Sequence, residues 1–156
     1  MPASAQAVPP HRSFHRLVTS NGWAVASYDR EQARIDTFLE HPYRFHEPSN
    51  DPPDLCFAAD ESRDLAFDTY FGVRPGGSGT AGEWLGEVPL DRAGYVVGTN
   101  IIETEQHVGP DRGLKVTTWT WMPTELELPV LVMVAEVENV SGATLPVSLY
   151  ALFNYR

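Results

Sequence analysis

Apolar and polar positions alternate at strand spacing over most of the chain after Phe14. The densest stretch is 113–155. Three runs rich in Val, Leu, Thr and aromatic residues are separated there by 123–127 and by Asn139-Val140-Ser141-Gly142. Strand-length runs bounded by Pro, Gly, Asn and Ser predict an antiparallel β-meander. The middle run is apolar on both faces: Val130, Val132 and Val134 alternate with Leu131, Met133, Ala135 and Val137. A strand dry on both sides belongs inside a layered structure and not at its edge. The expected fold is therefore all-β, an antiparallel β-sandwich of two packed layers.

Earlier in the chain, 1–13 is small, polar and proline-bearing and predicts a disordered lead-in to one sandwich domain over 14–156. A first strand starts in 14–18, and Asn21-Gly22 predicts a tight turn into a strand at 23–28. The next arm, 34–39, is ambiguous. Asp29 with Gln32 fits a capping box, and Ile35, Phe38 and Leu39 fit helical spacing. So short an isolated helix is marginal, which favours a strand pairing back as a hairpin. His41-Pro42 breaks the pattern, 46–53 reads as a loop, and 55–59 as a short strand. A strand follows at 65–73, then a mobile glycine-rich segment at 74–82. A strand with a break near Gly98 occupies 95–105, and Gly109-Pro110-Asp111-Arg112-Gly113 turns the chain into the closing runs.

Charge changes this picture only by exclusion. Eleven basic against 21 acidic side chains give −10 over 156 residues. A phosphate backbone or an anionic membrane surface demands clustered Lys and Arg, so neither nucleic acid nor membrane is an expected partner. No run is long enough for a membrane span. The single cysteine, Cys56, excludes an internal disulfide and reads as a small core residue. With no apolar leader segment, the expected location is cytoplasmic. Asn139-Val140-Ser141 is a glycosylation sequon, irrelevant without secretion. The last residues, 152–156, sit in the middle of an apolar pattern. A final strand of this kind leaves an unprotected edge, and the expectation is a sandwich truncated at its C-terminal end.

Candidate chemistry is sparse. Gly77-Ser78-Gly79-Thr80-Ala81-Gly82 spells the dinucleotide fingerprint, but no strand–helix unit surrounds it, so it reads as a surface loop with no cofactor. His41 and His46 with Glu40 and Glu47 lack zinc-ligand spacing, and no metal is expected. Glu103, Glu105 and His107 share one strand face, with neighbours about 7 Å apart; the spacing does not exclude paired carboxylates, but a wet strand face explains the pattern more simply. Trp119 and Trp121 share a face with Lys115 and Thr117. Aromatic faces stack on sugar rings, so Trp84, Trp119 and Trp121 are the candidate carbohydrate-binding residues, Trp84 the most exposed of them. For Trp119 and Trp121 the competing role is core or interdomain packing.

The opening Asn21-Gly22 with 23–28, the acidic turn at Asp29, and the answering run 35–39 closed by Pro42-Tyr43-Arg44 carry a resemblance. So do 114–122 and 130–139 ending in Val137-Glu138-Asn139-Val140-Ser141, with 145–154 beyond. Together they resemble the N-terminal β-sandwich, or super-sandwich, of inverting glucoamylase-like glycoside hydrolases and disaccharide phosphorylases. In that family the sandwich packs on a helical barrel that holds both catalytic carboxylates. The resemblance thus implies a non-catalytic module of a larger carbohydrate-active enzyme, partnered by a helical catalytic domain absent from these residues. It transfers no catalytic residue to this chain. The alternatives are a self-contained carbohydrate-binding sandwich and, last, a sugar-epimerase type of enzyme built on His107 with Glu103 or Glu105.

Overall fold

The computed structural model describes residues 6–7, 15–40, 64–77 and 79–155. His41, His46, Glu47 and Cys56, with the loop and strand expected over 46–59, lie outside the described residues. In chain order the strands are β1 (Gln6–Ala7), β2 (Arg16–Ser20), β3 (Ala24–Asp29), β4 (Arg34–Glu40), β5 (Asp64–Pro75) and β6 (Glu83–Trp84). They continue with β7 (Arg92–Tyr95), β8 (Ile102–Val108), β9 (Leu114–Trp121), β10 (Val132–Asn139) and β11 (Val147–Tyr155). All pairings are antiparallel. One sheet runs β1-β7-β8-β9-β10; the other runs β11-β5-β4-β3-β2, with β6 also paired to β5. The expected all-β sandwich is the observed fold. Gln6–Ala7, within the stretch read as a lead-in, adds a short strand to β7.

Local chemistry shapes the first hairpins. Gly22 adopts a φ of +86°, a left-handed conformation that glycine tolerates without strain. Beside it, the Asn21 side chain closes its own turn, accepting at Oδ1 from the Trp23 and Ala24 amides at 3.0 and 3.1 Å. Its Nδ2 donates to the carbonyls of Pro123, Leu126 and Leu128 at 3.1, 3.1 and 2.9 Å, tying the β9–β10 loop to the β2–β3 turn. Asn21→Ala is expected to cost about 1–2 kcal/mol, since the freed carbonyls lie near solvent. Urea unfolding measures it, and faster amide exchange over 124–128 should accompany it. Unchanged exchange in that loop would show that the asparagine is not its anchor. At the next turn Asp29 Oδ1 accepts from the Glu31 and Gln32 amides. The capping signal is thus used by a hairpin turn, and β4 pairs back on β3 as a strand.

Inward positions of β8 and β9 show how the layers meet. Ile102 and Met122 join Leu17, Ala24, Ala26, Tyr28 and Ile35 in one apolar cluster. Val108, Leu114 and Val116 join Phe71, Val73 and Leu85 in a second. Between them along the same strands lie buried Thr104, Gln106, Thr118 and Thr120. Thr104 and Thr118 hydroxyls bond to each other, and Thr19 Oγ1 accepts the Met122 amide at 3.1 Å. Gln106 Nε2 donates to the Leu85 and Val88 carbonyls at 2.9 and 2.6 Å, fastening the short 3-10 turn Leu85–Glu87 to β8. Burial pushes the Tyr28 hydroxyl far above its usual pKa, opposed in part by its bond to Thr104, so it stays neutral.

Three expectations are corrected. The broken strand at 95–105 is a reversal: β7 ends at Tyr95, Gly98 takes a φ of +77°, and β8 returns beside it. The closing meander is interrupted, because β11 pairs with β5 in the opposite sheet and not with β10. The Gly76 amide on the Pro146 carbonyl, at 2.7 Å, helps guide the chain across. Finally, β10 is an edge strand, not an interior one. Its Met133, Ala135 and Val137 face the core while Val132 and Val134 lie beside Trp121 and Trp119 on the outside. Two apolar faces therefore reflect one core contact and one aromatic neighbour, not burial between strands. Leu149, opposite fully buried Val73 and so turned toward the core layer, is still 46% exposed. Among the described residues the sandwich is open along β10 and β11.

Candidate functional site

Two outer faces carry the side chains of interest. On the β7–β10 sheet, cross-strand register sets Glu103 opposite Trp119, Glu105 opposite Thr117, and His107 opposite Lys115. The two sequence constellations are thus one surface. Glu103 nevertheless is only 5% exposed, and the wet face expected for it is corrected. One carboxylate oxygen accepts from Arg92 at 2.6 Å and the other from the Trp119 indole N–H at 2.9 Å. With both oxygens engaged, Glu103 is poorly placed to act as a base or nucleophile. Arg92 and Lys115 lie 3.7 and 3.9 Å from Glu105, and Lys115 lies 3.2 Å from Glu138. Asp91 accepts from His107 at 2.9 Å and from Arg112. Partial burial raises the Asp91 carboxyl, but the bonds and charges of His107 and Arg112 together outweigh it and hold the pKa below the usual range. The alternating charges compensate one another across the sheet and leave no convergent acid pair.

Trp121, at the end of this face, borders an open cleft of about 650 Å³ with Ser20, Asn100, Thr124 and Glu125. Much of its polar lining is structurally committed. Asn100 Nδ2 donates to the Ser20 and Met122 carbonyls at 3.1 and 3.0 Å, and Ser20 Oγ donates to the Ala24 carbonyl at 2.9 Å.

On the other sheet, alternation along β5 turns Phe71 and Val73 into the core and leaves Tyr70, Gly72 and Arg74 on the outer face. Register adds Trp84 beside Gly72 from β6, and Tyr150 and Ser148 from β11. The Trp84 indole lies on the Gly72 backbone: a Cβ there would stand 2.5 Å from ring carbon Cε3. Tyr70 meets Trp84 edge-on at 6.0 Å between centroids, and Tyr150 meets it at 6.4 Å and 57°. The Arg74 guanidinium sits 5.5 Å from the Tyr150 ring centroid. Together with Thr80 and Glu83 these groups line a cleft of about 250 Å³. Trp84 and Tyr150 remain 37% and 39% exposed, so the pair presents apolar ring surface to solvent. Desolvation, then the Asp68 and Glu87 charges, raise the Tyr70 hydroxyl, which keeps its proton at neutral pH.

The three tryptophans singled out from the sequence therefore do not form one platform. Trp119 and Trp121 lie on one outer face, Trp84 on the opposite one. The glycine-rich segment before Trp84 is the β5–β6 connection, followed by a three-residue 3-10 turn and no helix, so it builds no dinucleotide cradle. Tyr70, Arg74 and Tyr150 escaped the sequence reading. Tyr70-x-Gly72-x-Arg74 does place three residues on one strand face, but the contribution of β11 depends on a pairing between distant segments.

Fold and surface define a small antiparallel sandwich with an exposed aromatic cleft on one face. No family model matches the chain, and neither a curated protein nor a solved structure is significantly similar to it. Among the described residues no helix is long and apolar enough to cross a membrane.

Proposed function

We propose that the chain is a non-catalytic β-sandwich module of a carbohydrate-active enzyme and that it binds saccharide in the Trp84 cleft. The observation that supports this is the cluster of Trp84, Tyr70 and Tyr150, held half-exposed around Gly72 with a guanidinium beside it. Sugar rings present apolar C–H faces that pack on indole and phenol, while their hydroxyls take the polar rim. Titration with oligosaccharides should give a saturable change in tryptophan fluorescence. Trp84→Ala should weaken binding about tenfold or more, roughly 1.4 kcal/mol, while Trp119→Phe, on the far face, should leave it intact. Turnover of a glycoside by the purified chain would refute the non-catalytic part.

A second aspect, packing against a helical catalytic domain, is favoured by the open side of the sandwich. Val147, Leu149 and Ala151, opposite Pro75, Val73 and Phe71, stay exposed on what is otherwise the core-facing side. A reading frame continuing beyond Arg156 into several amphipathic helices is the expected finding; a stop codon there would count against it.

A further inference from the structure

We propose that the Trp84 cleft selects acidic saccharides, with Arg74 recognising the carboxylate of a uronic acid residue. This rests on the carbohydrate reading of the cleft and narrows it to a ligand class. Arg74 stands out by what it lacks. Arg16, Arg34, Arg92 and Arg112 each lie within ion-pair distance of an aspartate or glutamate, in a chain with 21 acidic side chains. Arg74 has no carboxylate partner among the described residues. Its contacts are the Tyr150 ring and a long 3.4 Å bond from Nη2 to Ser148 Oγ, and its Nε is shielded from solvent without an acceptor. Glu83, the acid lining the same cleft, is directed elsewhere: Oε1 accepts the Gly109 amide at 2.8 Å.

The guanidinium is thereby held over an aromatic ring, and its planar fork carries no acceptor beyond the long bond to Ser148. That fork matches a carboxylate in a bidentate pair, stronger and more directional than a bond to a neutral hydroxyl. Trp84 and Tyr150 are in tilted contact, their centroids 6.4 Å apart, so a sugar ring would pack across their exposed faces and not between them. A ring seated there would bring a substituent carboxylate to the edge where Arg74 lies. A neutral sugar would fill the aromatic part of the cleft and leave the fork unpaired, and sites built around a charged donor discriminate against ligands that leave it so.

Matched neutral and uronic trisaccharides, from both the galactose–galacturonate and glucose–glucuronate series, are to be titrated into the whole chain by calorimetry and tryptophan fluorescence. A sulfated trisaccharide serves as the other anionic arm. The wild-type chain is expected to bind one uronic trisaccharide at least tenfold more tightly than its neutral counterpart and than the sulfated one. Arg74→Gln should bring the uronic-to-neutral ratio close to one while neutral binding persists, which also shows that the variant is folded. Arg74→Lys, which keeps charge but not the fork, should restore only part of the preference. Equal binding of neutral and uronic sugars by the wild type, or a preference that survives Arg74→Gln, overturns the proposal and leaves the carbohydrate reading standing. Tighter binding of the sulfated sugar overturns the carboxylate assignment. No binding of any saccharide removes the reading and the proposal together.

Discussion

Gln106→Leu is expected to lower the unfolding free energy by about 1–3 kcal/mol, although leucine is close to glutamine in volume and more apolar. Gln106 is buried in the polar band between the two apolar clusters. Its Nε2 serves the carbonyls of Leu85 and Val88. A leucine fills the space but removes that donor from both carbonyls; Leu85 keeps the Val88 amide at 3.2 Å, so its loss is partial, against about 1–3 kcal/mol for a buried group left unpaired. Val88 is half-buried and will recover part of its loss from water, hence the lower end of the range. The effect reaches the cleft, because the turn that Gln106 holds follows directly on Trp84. Urea unfolding at constant m-value measures the loss, and saccharide affinity should fall with it. A leucine variant as stable as the parent would show that the bonds to the turn contribute nothing net.

Glu103→Leu carries the second large effect, about 2–3 kcal/mol. Removing one member of a buried ion pair typically costs 3–5 kcal/mol, because the other charge loses its partner. Here Arg92 is a third exposed and has Glu105 at 3.7 Å as a second partner, which reduces the cost. The Trp119 indole N–H also loses its acceptor. Glu103→Gln, which keeps an acceptor for Trp119, should recover part of the loss. Both variants should bind saccharide at the Trp84 cleft as the parent does, since that cleft lies on the opposite face. Unchanged stability with lost binding would reverse the roles assigned to the two faces.

Much of the fold was legible in the residues. Asn21-Gly22 marked the first hairpin, Asp29 with a short apolar run marked the second, and 109–113 marked the turn into β9. The face shared by Glu103, Glu105 and His107, and the one shared by Trp119 and Trp121, followed from alternation alone. The opposite run, Ile102, Thr104, Gln106 and Val108, is seen to be buried only in the structure, as is Gln106 finding its acceptors in a turn after Trp84. The misplacement of β10 has a plain cause. Two faces of apolar residues on β10 cannot distinguish a strand between neighbours from an edge strand flanked by tryptophans.

The sequence by itself determined most of the longer strands, the alternation of their faces and the first hairpin turns, because each depends on side-chain alternation and on backbone preferences a few residues long. The tertiary structure decided which sheet β11 enters, that Glu103 is dry, and that Trp84 rests on Gly72 beside Tyr150 and Arg74. These depend on backbone pairing between distant segments, and an unpaired strand edge accepts many partners of similar pattern. Only the register of β6 and β11 on β5 selects which side chains meet there.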